Sequence, residues 1–107
     1  MMRTFSDSPP TVGVELEWQL VDAETLDLRD AIMPLLERLG DDPCVKPELH
    51  QSAVETIAPP AESTAALRPV LRQVALRLVE AAASEGVAVV GAGTHPFCER
   101  LVPVTPL

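Results

Sequence analysis

Glu15 and Glu17 stand two residues apart in Val12-Gly13-Val14-Glu15-Leu16-Glu17-Trp18-Gln19-Leu20, a run that alternates apolar and polar side chains. In an extended chain, residues two apart point the same way and lie about 6.5 to 7 Å apart. Rotation of the two side chains can bring both carboxylates onto one cation or onto two neighbouring ones. Hard cations such as Mg²⁺ take oxygen ligands, typically one or two carboxylates with waters and phosphates completing the shell. An isolated Glu-x-Glu is more commonly a solvated strand face, and the pattern alone favours that reading.

A third carboxylate, Glu55, lies in Val54-Glu55-Thr56, near the end of a second extended segment. If that segment pairs near the first, Glu55 can join the same site. Strand parity puts Gln51 and Glu55 on one face and His50, Ser52 and Thr56 on the other, so a regular strand cannot aim all of them at one place without a bulge. Glu48 is a weaker candidate, because Pro47 precedes it where the strand has barely begun. His95 follows Gly93-Thr94 and precedes Pro96, at the end of the last apolar strand, where a histidine can bond a carboxylate or a phosphate. Without a partner in view, the residues favour the plainer reading, a histidine packed in a loop. Gly91-Ala92-Gly93 opens like a dinucleotide fingerprint, but Pro96 stands where the third glycine belongs and no helix follows. The chain has no GxxxxGK[ST], HExxH, GxSxG or CxxC motif.

The elements that must position these residues read as strand, helix, strand, long helix, strand. Alternation predicts the first strand over 12–21, with Val12, Val14, Leu16, Trp18 and Leu20 on one face. Leu26-Asp27-Leu28 could form a short return strand after the turn at 22–25. Ile32, Leu35, Leu36 and Leu39 have helical spacing, predicting a helix over 30–39 that Gly40 ends. A second strand is expected over 47–57, closed by Pro59-Pro60. The long helix follows, capped by Ser63 or Thr64 and stopped at Gly86, with Leu67, Val70, Leu71, Val74 and Leu78 as its apolar stripe. Pro69 is expected to delay its start or bend it. Val87 to Val90 forms the last strand, and the proline-bearing tail adds no closing element. Pattern alone therefore yields a mixed α/β or α+β domain.

Composition narrows the partners. The 107 residues suffice for one small domain, 47% of them are hydrophobic, and the mean hydropathy is +0.18. Sixteen Asp and Glu against eight Lys and Arg leave a net charge of −8, which disfavours nucleic acid and an anionic membrane surface. No apolar run is long enough to span a membrane. Cys44 and Cys98 are too far apart for a CxxC site, and with no secretory signal visible the thiols are expected to be reduced in the cytoplasm. Residues 1–11 read as a flexible leader and 12–107 as the folded part.

GVELEWQLVDAETLDL, ELHQSAVETIAPP and VVGAGTHPF resemble, in that order and spacing, three N-terminal blocks of the bacterial carboxylate–amine ligases related to type 2 glutamate–cysteine ligase. The resemblance covers about residues 12 to 106. It implies a glutamine-synthetase-like α+β fold in which an antiparallel sheet with packed helices cups the active site. It also implies ATP-dependent joining of a small-molecule carboxylate and an amine through an acyl phosphate. In such enzymes the residues matching Glu15, Glu17 and Glu55 are ligands of the Mg²⁺ (or Mn²⁺) that holds ATP. Gln51, Thr56 and His95 match positions beside substrate or nucleotide, and no catalytic residue is assigned.

Some positions depart from the family pattern. Leu16 replaces a residue that is often acidic, Trp18 replaces a common Phe, and Pro69 is unusual in its helix. Members of the family are several times longer, and no cluster of Arg or Lys accompanies the glutamates in the sequence. The expectation is therefore an N-terminal segment without ligase activity by itself, completed by a C-terminal chain or by homo-oligomerisation. The alternative is a non-catalytic acidic α/β binding or oligomerisation module.

Overall fold

A computed structural model describes residues 9–96, 98 and 102–106, so the first eight residues of the expected leader lie outside the described part. The element order is β1 (Val12–Asp22), α1 (Ile32–Leu39), β2 (Val45–Pro47), β3 (Ala53–Ala61), α2 (Thr64–Ser84) and β4 (Val87–Val90). The strands form one antiparallel sheet in the order β2-β3-β1-β4, giving the α+β arrangement of a sheet with two helices.

Period-2 alternation along β1 divides the sheet into two unlike faces. Trp18 and Leu20 point to the side where the helices pack. There Leu20, Ile32, Leu35, Val45, Val54, Val74, Leu78 and Val87 form the buried core. In α2 the residues that go under are Leu67, Val74, Leu78 and Ala82, one stripe at helical spacing. Full burial of a leucine there contributes about 1.5–3 kcal/mol. Glu15 and Glu17 occupy the opposite face and are exposed. Farther along the same face, Gln19 and Val21 are covered.

Five expectations need correction. The segment predicted as one strand over 47–57 is two strands, β2 and β3, separated by a turn at 51–52 that carries Ser52 into the interior. Leu26-Asp27-Leu28 makes only an isolated bridge, Leu28 to Val21, because Leu26 sits at φ 65 and breaks the extended run. Pro59 and Pro60 do not close β3, which continues to Ala61. β2 pairs with residues 54–56 and Cys44 O accepts from the Ile57 N–H at 2.9 Å, so among the described residues the outer side of β3 has no strand partner at Pro59 and Pro60, and the β1–β3 register shifts between Val12 and Val14. A missing N–H is tolerated at such an edge.

Pro69 does not delay α2 either. The helix begins at Thr64, where the Ser63 hydroxyl accepts from the Ala66 N–H at 3.1 Å as N-cap, and it runs on past the proline. Its end is a turn through Gly86 at φ 70, a conformation that costs glycine little. The tail also does more than expected. Gln51 N–H donates to Pro103 O, Thr105 N–H donates to Leu49 O, and Val104 bridges His50. Among the described residues no helix is long and apolar enough to cross a membrane.

Candidate functional site

The β1–β3 register brings the three glutamates to one face. Glu17 lies directly opposite Glu55, while Glu15 lies opposite Ile57, one pleat farther along. Opposed residues of an antiparallel pair project to the same side with Cβ atoms about 4.5–5.5 Å apart. The carboxyl groups of Glu15 and Glu48 lie close enough to Glu55 to act on its charge. The Glu55 pKa is raised above the ordinary carboxylate value. Partial burial is the largest cause, followed by the negative charges of Glu15 and Glu48, while Lys46 opposes the rise.

This donor set suits a hard divalent cation. Two carboxylates held together at the cost of like-charge repulsion are what such an ion relieves, with water and phosphate oxygens filling its remaining positions. Among the described residues, no group of three or more His, Cys, Asp or Glu is gathered closely enough to hold a metal. The fit is therefore to an ion with a largely non-protein shell, such as Mg²⁺, rather than to a closed protein cage.

The other candidates fall in different places. His95 lines a cleft of about 410 Å³ together with Glu17, Glu48 and His50. Its Nε2 lies 2.8 Å from Leu26 O, tying the end of the last strand to the strained turn after β1. Thr56 faces the helices, nearly fully buried, where its hydroxyl accepts from the Trp18 indole N–H at 2.8 Å. It is thus turned away from the glutamates, as parity requires. Gln51 donates its side-chain amide to Val104 O at 3.1 Å and so is bound to the tail.

Three residues at or beside this face were missed or undervalued in the sequence. Glu48 contributes charge at Glu55. Lys46 lies opposite Glu55 in the β2–β3 register, so a basic residue does accompany the glutamates. Its signal was hidden because β2 is only three residues long and ends in proline. Gln19, two residues beyond Glu17, is 7% exposed and donates its amide to Ala92 O and Gly93 O, both at 3.1 Å. The glycine loop after β4 is thereby anchored beside the carboxylates. A polar residue continuing the Glu-x-Glu alternation was the available clue.

The sequence model of glutamate–cysteine ligase family 2 matches residues 11–106. The chain is 41% identical to the Bordetella avium protein named "Putative glutamate--cysteine ligase 2", over 94% of this chain and 27% of that one. Proteins of the same name from Trichormus variabilis and Chloroflexus aurantiacus are 31% and 38% identical, over 96% and 81% of this chain and 27% and 23% of theirs. The chain thus spans about a quarter of the length of these curated relatives. No solved structure matches it. With the match running from the start of β1 through the tail, the chain belongs to glutamate–cysteine ligase family 2.

Proposed function

We propose that the chain supplies the cation-binding carboxylates of an ATP-dependent carboxylate–amine ligase of the glutamate–cysteine ligase type. The observation that carries this reading is the β1–β3 register, which gathers Glu15, Glu17 and Glu55 on the open sheet face with Glu17 opposite Glu55. Glu15 and Glu55 would hold Mg²⁺ or Mn²⁺ and Glu17 would take a water or a second ion, while ATP oxygens complete the shell. When bound, such a cation would supply the positive charge that offsets the charge developing in phosphoryl transfer.

In the ligase reaction an oxygen of the substrate carboxylate bonds to the γ-phosphorus of ATP and ADP leaves. The amine then attacks the acyl carbon, phosphate leaves, and the nitrogen loses a proton. The part of this chain is to orient the nucleotide through its glutamates, and by itself it is proposed to be inactive as a ligase. Cytoplasmic location belongs to the same proposal.

Titration with Mn²⁺, with and without ATP, tests the reading by calorimetry or water-proton relaxation. Saturable binding is expected in the wild-type chain. Glu15→Gln and Glu17→Gln are expected to weaken it at least about tenfold, the loss of one charged ligand. Binding that neither substitution alters would remove the glutamates from the site.

A further inference from the structure

On the open face, the β2–β3 and β1–β3 registers align Lys46, Glu55 and Glu17 in a single row across three strands. The ammonium of Lys46 acts on the Glu55 carboxylate as a partly compensating positive charge. Other cations are committed elsewhere. Arg29 pairs with Asp22 at 2.8 Å, Arg38 with Glu85 at 2.6 Å and Arg77 with Asp42 at 2.8 Å. Arg68 and Arg72 belong to α2, which covers the opposite side of the sheet. Among the described residues, Lys46 is therefore the basic residue of the carboxylate face, and it is exposed.

We propose that Lys46 binds a phosphate oxygen of the nucleotide carried by the glutamate-held cation. The inference rests on the Mg²⁺–ATP reading above and adds to it the residue that meets the anion. A polyphosphate approaching three or four glutamates is repelled unless positive charge lies on both sides of it. A cation between Glu15 and Glu55 supplies one side, and lysine, a compact charge on a flexible stem, supplies the other. From a position opposite Glu55, with Cβ atoms about 4.5–5.5 Å apart, the four-carbon stem can reach either the Glu55 carboxylate or outward from the sheet. Without ligand the ammonium compensates Glu55. Once a divalent ion takes over that compensation, the ammonium is released toward phosphate. Cation and nucleotide thus favour each other's binding, and the coupling is reciprocal.

The test titrates wild type, Lys46→Met and Lys46→Arg with Mn²⁺ alone and then with Mn·ATP, with circular dichroism melts as the check on folding. Lys46→Gln serves as a second neutral variant. In the neutral variants Mn²⁺ alone is expected to bind as tightly as in wild type or a few-fold tighter, because a competing charge is gone. Affinity for Mn·ATP is expected to fall at least about tenfold, the value of a charge-assisted hydrogen bond, with Lys46→Arg retaining most of it. Unchanged Mn·ATP affinity in the neutral variants, against a wild type that binds Mn²⁺, overturns the role of Lys46 alone. A wild type that binds no Mn²⁺ overturns the cation site and this inference with it.

Discussion

Thr56 and Trp18 form a long-range side-chain hydrogen bond across the helix-covered side of β1 and β3, and it bears on the glutamates although neither residue faces them. Trp18 lies opposite Val54 and Thr56 opposite Leu16, so the indole-to-hydroxyl bond runs diagonally across the register. A one-residue slip of β1 against β3 would turn Glu15 and Glu17 toward the core and away from Glu55. The bond resists that slip because a half-buried indole N–H without an acceptor is costly. Thr56→Val keeps the shape and removes the acceptor. It is expected to destabilise the chain by about 1–3 kcal/mol in urea unfolding, the cost of an unpaired buried donor. Thr56→Ser, which keeps the hydroxyl, is expected to lose less. A Thr56→Val chain as stable as wild type would mean that the hydrogen bond is not what matters at this position.

At the scale of the element, the turn leaving β1 is held by Asp22. One carboxylate oxygen accepts from the N–H groups of Glu24 and Thr25, both at 2.9 Å, and the other pairs with Arg29. These bonds, the backbone ones first, hold its pKa at about 2 against an ordinary 3.8. The folded-state pKa is depressed, so the stability Asp22 contributes is fully present above about pH 4 and is lost as the pH falls toward 2. Asp22→Ala is expected to be less stable at pH 7 and to show a flatter loss of stability between pH 4 and pH 2. Parallel acid limbs in wild type and variant would count against the turn as the source. Elements with strong periodicity, β1, α2 and β4, were legible in the sequence because one face of each is buried. β2 was not, since three residues ending in Pro47 carry no alternation, and with it went the means of placing Lys46. Pro59-Pro60 misled because a proline's cost depends on whether its strand is paired there, which only the tertiary arrangement decides. The glutamate face was legible from parity alone, whereas the pairing that places Glu55 opposite Glu17 was not.

Across the whole molecule, the two faces of the sheet work against each other. The helix side supplies the burial that holds the chain together. The open side gathers glutamates within a chain of net charge −8. Like charges directly opposite on neighbouring strands cost stability, so a face that gathers glutamates weakens the cation-free fold. Glu17→Gln removes one member of the Glu17–Glu55 pair without altering the backbone or the helix side. It is expected to stabilise the cation-free chain by about 0.2–1 kcal/mol. At about 4–8 °C per kcal/mol for a domain near this size, the melting midpoint should rise by up to several degrees. The gain should shrink as NaCl is raised, because salt screens the same repulsion. With Mn²⁺ present the order should reverse, since a ligand that binds the folded state stabilises in proportion to its affinity and the wild type binds more tightly. Melting curves of both chains at low salt, at high salt and with Mn²⁺ read all three effects. A Glu17→Gln chain that is less stable than wild type without cation would mean that Glu17 contributes to packing instead of standing as an uncompensated charge.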